Sequence, residues 1–304
     1  MKRAFTHMLI TMLLCLMAVG LYAEGDYMIY RNNGKPLTIK QMAAELVNRQ
    51  VVFFGEYHDD AVCHALELEL LTEMHAVNPK VVVSMEMFER DAQDILIDYL
   101  ADRTTEEIFL RESRPWPNYE TDYKPIISFS RRYELPVIAG NVPRRFAALV
   151  AKNGPEALKD LPESEKQFFA QKLVVLDDDY KKEFMKTMQS MTAHGMPGDT
   201  KMFENMYAAQ CLKDDSMAES MVKALQDFSD HRIIHFNGDF HSRKHLGTAQ
   251  KVKLLLPEAS IAVISPVYVD SQSPLEWDDS LRNEADYLIL IHKTADAGNT
   301  DITE

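Results

Sequence analysis

Short apolar runs alternate with stretches of helical periodicity along most of the chain. Six of these runs are rich in β-branched or aromatic residues and lack polar alternation, as expected of strands buried on both faces. They occupy residues 51–54, 81–84, 137–139, 233–236, 261–264 and 287–291. Apolar residues at helical spacing occupy residues 61–76, 91–100 and 123–133. This alternation predicts an α/β fold in which helices flank a mostly parallel sheet.

The alternation stops between residues 143 and 230, where helix formers dominate. The predicted helices begin near residue 161 and cover residues 177–191 and 200–226. A loop with Gly and Pro, which both interrupt helices, separates the last two. Strands are predicted on both sides of this stretch, so we interpret it as a helical insertion. The sequence therefore predicts one α/β domain over residues 24–304, with the insertion at about 143–230.

The first 23 residues are typical of a secretory signal peptide. Two basic residues precede an apolar run at 8–20, and Ala23 supplies the small residue before the cut. The run is short for a membrane span of about 20 residues, which favours cleavage over an uncleaved anchor. Leu14 stands before Cys15, where a lipidation signal needs a small residue, so lipidation is disfavoured. We expect an exported protein of the periplasm or cell envelope.

Composition and charge narrow the class of protein. The chain has 33 Lys and Arg against 47 Asp and Glu, which gives a net charge of −14 and argues against nucleic acid as a partner. An apolar content of 46% with 26% charged residues is typical of a globular protein. Beyond the leader only Cys63 and Cys211 occur, and their spacing leaves one disulfide open without requiring it.

Two Gly-x-x-His tetrads follow predicted strands. Gly-Glu-Tyr-His occupies residues 55–58, and Gly-Asp-Phe-His occupies residues 238–241. Ligands of a parallel sheet bind beyond the carboxyl ends of its strands, so both tetrads are expected at one edge. Histidine and carboxylate side chains suit a divalent metal or acid–base chemistry. The candidate residues for a metal or polar ligand are Glu56, His58, His64, Glu86 and His241. For His64, a place on the helix surface is an equal alternative.

Several motifs in order along the chain resemble those of one protein family. They are Gly-Glu-Tyr-His-Asp at 55–59, Met-Glu-Met-Phe at 85–88, Asn-Val-Pro-Arg at 141–144, Tyr-Ala-Ala-Gln at 207–210 and Gly-Asp-Phe-His at 238–241. Together they resemble the ChaN family of haem-binding uptake proteins, which is similar to the wider Tiki and erythromycin-esterase-like superfamily. The resemblance spans roughly residues 50–270. It is more specific for the superfamily than for the activity of any member.

The resemblance implies an envelope protein that takes part in haem or iron acquisition. It implies haem held between the two subunits of a homodimer, with a tyrosine on the iron and a histidine of the partner near the propionates. Tyr207, in the Tyr-Ala-Ala-Gln motif, is the candidate axial ligand, and His194 is the candidate for the second contact. An outer-membrane haem receptor is a further partner that the resemblance implies.

The methionines have a distinct distribution. The chain has 17, and eight of them lie between Met185 and Met221. Met202, Phe203 and Met206 have helical spacing near Tyr207, and such residues can form an apolar wall for a flat ligand. Ordinary core packing is the alternative, since methionine is a common gap filler. Thioether binding of copper(I) ranks below both, because the same spacing is typical of a buried helix face.

Two functional hypotheses from different classes follow. The first is haem binding without catalysis. The second is a metal-dependent hydrolase, related to proteases or esterases, in which the candidate histidines and carboxylates hold a metal that activates water. The sequence leaves open whether haem and the Gly-x-x-His residues share one pocket.

Overall fold

The computed structural model describes residues 26–193 and 198–293. The predicted signal peptide and His194 lie outside the described residues. Within the described ranges, no helix is long and apolar enough to cross a membrane.

Eight strands form one mixed sheet that is parallel except at one edge. They are β1 (Tyr27–Arg31), β2 (Pro36–Leu37), β3 (Val51–Glu56), β4 (Val81–Glu89), β5 (Val137–Asn141), β6 (Arg232–Gly238), β7 (Ile261–Val269) and β8 (Tyr287–His292). Their spatial order is β2-β1-β8-β7-β3-β6-β4-β5. The pairs β7–β8, β7–β3, β3–β6, β6–β4 and β4–β5 are parallel, whereas β1 pairs antiparallel with β2 and β8.

Helices cover both faces of this sheet. They are α1 (Ile39–Leu46), α2 (Ala61–Val77), α3 (Gln93–Leu100), α4 (Glu106–Ser113), α5 (Lys124–Arg132), α6 (Arg144–Asn153), α7 (Asp179–Ala193), α8 (Thr200–Asp227) and α9 (Gly247–Leu255). The predicted fold class, α/β with a mostly parallel sheet between helices, is confirmed.

Strand β3 illustrates why these runs become central strands. Every residue of β3 is buried, and successive side chains point to opposite faces. Val52 and Phe54 join a core shared with α1, α2 and α5. Val51 and Phe53 join a second core shared with α8 and α9. A continuous apolar run without alternation is therefore what a strand between two helical layers requires.

The described residues between β5 and β6 form helices and loops. Helix α8 packs against the sheet, with Met217, Ala218 and Met221 in the second core. Helix α6 packs against α8 in a smaller cluster that includes Phe146 and Leu212. The helix predicted near residue 161 is a short 3₁₀ helix, Glu163–Phe168, which Pro162 precedes and which buries none of its residues. Without an apolar face to bury, that segment has little to stabilise a longer helix.

Candidate functional site

The two Gly-x-x-His tetrads end neighbouring strands. Strands β3 and β6 pair in parallel, and Gly55 and Glu56 lie opposite Asn237 and Gly238. Strand β4 flanks β6 on the other side and brings Glu86 to the same edge. The structure therefore places the candidate residues of all three strands together at the carboxyl end of the sheet.

Glu56 is the centre of the first group. Its side chain is fully buried, and its Oε1 accepts hydrogen bonds from Nδ1 of His58 at 2.7 Å and from the hydroxyl of Tyr123 at 2.7 Å. The imidazole of His58 is partly exposed, with 15% of its side chain accessible, and it packs edge-on against Trp116. We call this carboxyl edge of the sheet the rim, and His58 is the member of the group that a ligand reaches first there.

His64 faces the same group from the first turn of α2. Its Nδ1 lies 3.5 Å from Oε2 of Glu56 and 3.2 Å from Oε2 of Glu67. Its Nε2 lies 3.0 Å from the carbonyl oxygen of His58, which also accepts a hydrogen bond from Asn118. His64 is buried, so the structure places it in the cluster and not on the helix surface.

Glu86 and His241 form the second group. Oε1 of Glu86 lies 3.1 Å from Nε2 of His241, and Oε2 accepts a hydrogen bond from the backbone N–H of Gly238 at 2.9 Å. The other ring nitrogen of His241, Nδ1, lies 2.6 Å from Oδ1 of Asp214. Thr248 donates a hydrogen bond to the same oxygen at 2.7 Å. His241 is therefore held between two buried carboxylates.

The glycines of the two tetrads allow the groups to approach each other. A Cβ on Gly238 would lie 2.7 Å from Cε1 and Nε2 of His58, and a Cβ on Gly55 would lie 2.5 Å from Oδ1 of Asp239. Each tetrad thus packs a side chain against the glycine of the other. Residues 55 and 238 must lack a side chain for this arrangement to form.

Opposed charges shift the pKa values of the first group. Burial raises the pKa of Glu56, but the charge of His64 and the hydrogen bond from His58 outweigh it and bring the pKa to about 2. Burial lowers the pKa of His64, whereas Glu56 and Glu67 raise it to about 10. Burial and the charge of Glu56 raise the pKa of Glu67 well above its ordinary value. At neutral pH the cluster holds Glu56 ionised and His64 protonated.

Burial and opposed charges also shift the pKa values of the second group. Burial lowers the pKa of His241, but the carboxylates of Glu86 and Asp214 raise it to about 9. Burial raises the pKa of Glu86, and the charge of His241 lowers it by more. The pair is therefore an imidazolium and a carboxylate at neutral pH.

Tyr207 lies in an aromatic cluster between α7 and α8. Its ring is buried, and its hydroxyl donates a hydrogen bond to the carbonyl oxygen of Leu176 at 3.1 Å. The buried members of this cluster are Tyr180, Phe184, Met188, Phe203, Tyr207, Cys211 and Phe240. Met185, Met202 and Met206 pack against it and are half-buried. Burial raises the pKa of Tyr207.

The aromatic cluster touches the Gly-x-x-His residues. Phe240, from the second tetrad, is one of its members and stacks at a tilt on Tyr180 with ring centroids 5.0 Å apart. Nε2 of Gln210 lies 3.3 Å from the hydroxyl of Tyr180 and 3.2 Å from Nε2 of His241. The candidate haem region and the polar groups are therefore adjacent parts of one end of the molecule.

A family model described as haem-binding uptake, Tiki superfamily, ChaN, matches residues 42–252. This match covers β3 to β6, both tetrads and the helices between β5 and β6. The chain belongs to this family. No curated protein sequence matches it significantly.

Solved structures share the fold of this ChaN-family chain. One, described as cofacial haem binding to ChaN of Campylobacter jejuni, has 17% sequence identity and a TM-score of 0.69, and the match covers 90% of this chain and all of that one. Another, a mutant of the erythromycin esterase EreC in its open conformation, has 11% identity and a TM-score of 0.53, with 90% and 99% covered. At these identities the similarity concerns the fold.

The structure adds residues that were not among the candidate site residues, although Gln210 stands in the Tyr-Ala-Ala-Gln motif. Glu67 and Tyr123 join the first group, and Asp214, Thr248 and Gln210 join the second. For Glu67 a signal was present, because it follows His64 by three residues and therefore shares its helix face. Tyr123 reaches Glu56 across 67 residues of sequence, and no local pattern predicts that contact.

The two cysteines of this ChaN-family chain are separate thiols. Cys63 and Cys211 are both buried, and neither forms a disulfide within the described ranges. Cys63 belongs to the first core and Cys211 to the aromatic cluster. Burial raises the pKa of both thiols, to about 12 for Cys211, so both are inert core residues.

Proposed function

We propose that this protein binds haem and takes part in haem or iron acquisition as an exported protein of the cell envelope. Membership in a family described as haem-binding uptake carries the proposal, because the match includes the sheet and the inserted helices alike. A similar structure is described with haem bound cofacially, which supports a homodimer that holds haem between its subunits. An outer-membrane haem receptor is the proposed partner.

The composition of the aromatic cluster suits haem. Haem is a large apolar disc with two carboxylates, so it requires apolar walls and a few polar anchors. The cluster supplies aromatic rings, and Met185, Met202 and Met206 form its partly exposed margin. The methionines that pack inside, such as Met188, serve as ordinary core.

Tyr207 is the proposed axial ligand, and His194 the proposed second contact. A phenolate oxygen is a hard, anionic donor that suits ferric haem. In the structure the hydroxyl of Tyr207 is engaged by the carbonyl of Leu176, so iron must displace that hydrogen bond. Iron binding by Tyr207 therefore requires the segment before α7, where Leu176 lies, to release this hydroxyl.

Titration with hemin tests this proposal. We expect a saturable change in the Soret band of the wild-type protein and a weaker, blue- or red-shifted change in Tyr207→Phe. Tyr119→Phe is the matched control, since the hydroxyl of Tyr119 is also buried and has no hydrogen-bond partner among the described residues. Absence of a saturable change in the wild type would exclude haem binding. If Tyr207→Phe gives the same spectrum as the wild type, Tyr207 is not the ligand.

Hydrolysis is the second candidate function, and the rim position of His58 favours it. His58 is a partly exposed histidine that contacts the buried carboxylate of Glu56 and lies against Gly238, beside the second group. This arrangement suits a general acid or base next to a ligand site. Assays of the wild type and of His58→Ala with ester and peptide substrates test this function. If the wild type hydrolyses none of these substrates, hydrolysis is ruled out, and equal rates in the two proteins would exclude His58 as the catalytic acid or base.

A further inference from the structure

A cluster of three buried side chains lies beneath the rim, apart from the aromatic cluster. It consists of Glu56 at the end of β3 and of His64 and Glu67 on α2, and we call it the Glu–His–Glu cluster. Its members are 1%, 5% and 0% exposed. Each offers one ligand atom, and these atoms lie within 4.8 Å of one another. Three potential ligands therefore converge on one point in the protein interior.

Two carboxylate oxygens of the cluster lack a partner. Oε2 of Glu56 and Oε1 of Glu67 are buried, and neither has a hydrogen-bond partner in the described part of the chain. Unsatisfied buried polar atoms are rare, because desolvation without a partner costs free energy. Nδ1 of His64 approaches both carboxyl groups but leaves these two oxygens without a hydrogen bond, so they remain available to a metal ion.

His64 is oriented as a metal-binding histidine. Its Nε2 donates to the carbonyl oxygen of His58 at 3.0 Å, so Nδ1 faces the two carboxyl groups, and a metal ion that displaces the Nδ1 proton meets the lone pair there. A backbone carbonyl commonly fixes the tautomer of a metal-binding histidine in this way. Asn118 donates to the same carbonyl and to Asp122, which holds this outer contact in place.

Glu56 is held in a similar manner. Its Oε1 accepts hydrogen bonds from His58 and Tyr123, which leaves Oε2 for the interior of the cluster. Both partners sit outside the three ligands and fix the carboxylate plane. The ligands are thus preorganised by neighbours that do not occupy the metal-facing atoms.

We propose that Glu56, His64 and Glu67 bind a divalent first-row transition metal ion. One imidazole nitrogen and two carboxylate oxygens suit Zn²⁺ or Mn²⁺, with water completing the coordination. The site is distinct from the Glu86–His241 pair and from Tyr207, and metal binding there requires neither haem nor hydrolysis.

Equilibrium dialysis of the chelator-treated full chain against Zn²⁺ and, separately, Mn²⁺ tests the site. We expect about one bound ion per chain for one of the two metals, measured by elemental analysis, and at least a tenfold loss of affinity in Glu67→Gln. Glu69→Gln, a half-buried glutamate on the same helix, is the matched control and should bind as the wild type does. Tyr207→Phe should also retain the metal, which separates this site from haem binding.

A second measurement covers the case in which Glu67→Gln does not fold. The metal should raise the melting temperature of the wild type and leave that of His64→Asn unchanged. If the wild type binds no stoichiometric ion of either metal, or if Glu67→Gln binds it as tightly, the proposal is wrong and the cluster holds only protons.

Discussion

At the scale of single residues, the site depends on two glycines, because a side chain at either position would collide with the opposite tetrad. Gly238 gives room to the ring of His58, and Gly55 gives room to Asp239. The sequence shows these glycines as the first residues of two similar tetrads, which indicates a sharp turn or a ligand. Their actual role is mutual packing, which appears only when β3 and β6 lie side by side.

Gly238→Ala should disturb His58 specifically. The backbone of Gly238 has a φ of −53°, which alanine adopts readily, so the strain comes from the new Cβ at 2.7 Å from the His58 ring. We expect a loss of about 1–3 kcal/mol in the free energy of unfolding, measured with denaturant. In a His58→Ala background the same substitution should cost much less, because the clash is absent. An equal cost in both backgrounds would show that other contacts account for the loss.

At the scale of elements, α2 matters most because it carries two members of the Glu–His–Glu cluster. Asp60 caps this helix, and its Oδ1 accepts hydrogen bonds from the N–H groups of Val62 and Cys63, both at 2.9 Å. The cap fixes the first turn, where His64 lies. The position of His64 against Glu56 is thus set by a local sequence signal as well as by packing.

Asp60→Ala should loosen α2 and the cluster with it. Loss of an N-cap costs about 0.5–2 kcal/mol, and we expect a fall of that size in the free energy of unfolding. Amide exchange should also quicken at residues 61–64. Asp60→Asn retains a capping oxygen and serves as the control, so it should restore most of the stability. If asparagine is as destabilising as alanine, the charge of Asp60 and not its cap is responsible.

The sequence predicted the buried strands of the sheet but not its edge strands or the first helix. All six buried strand runs became β3 to β8, because an apolar run that helices cover on both faces has no competing structure. Strands β1 and β2 were not predicted, since they form the antiparallel edge and carry exposed residues such as Met28. Helix α1 was not predicted either, although a capping box between Thr38 and Gln41 and apolar residues at helical spacing, Ile39, Met42, Ala43 and Leu46, mark it in the sequence.

At the scale of the whole molecule, sheet order brings the site together. Strand β6 lies between β3 and β4, which places His241 beside Glu86 although 155 residues separate them. Sequence patterns place each residue at a strand end but do not give the order of the strands. Contacts such as those of Tyr123 and Asp214 follow from that order, and they could not be predicted.

Buried histidines make the stability of the whole molecule depend on pH in two directions. Burial lowers the pKa of His235 to about 3, so the unfolded chain binds a proton that the folded chain does not between pH 6.5 and 3. Stability therefore falls on acidification, by at most about 1.4 kcal/mol per pH unit from this residue. His64 and His241 have raised pKa values of about 10 and 9, so their contribution is complete below pH 6.5 and is lost as pH rises through those values.

His235→Gln isolates the acid side of this dependence. Glutamine does not titrate, and it can still bond to the hydroxyl of Ser84, which lies 2.9 Å from Nδ1 of His235. We expect the free energy of unfolding of His235→Gln to fall less steeply between pH 6.5 and 4.5 than that of the wild type. If the free energy of unfolding depends on pH equally in His235→Gln and in the wild type, folding does not lower the pKa of His235. Carboxylates alone would then cause the acid sensitivity.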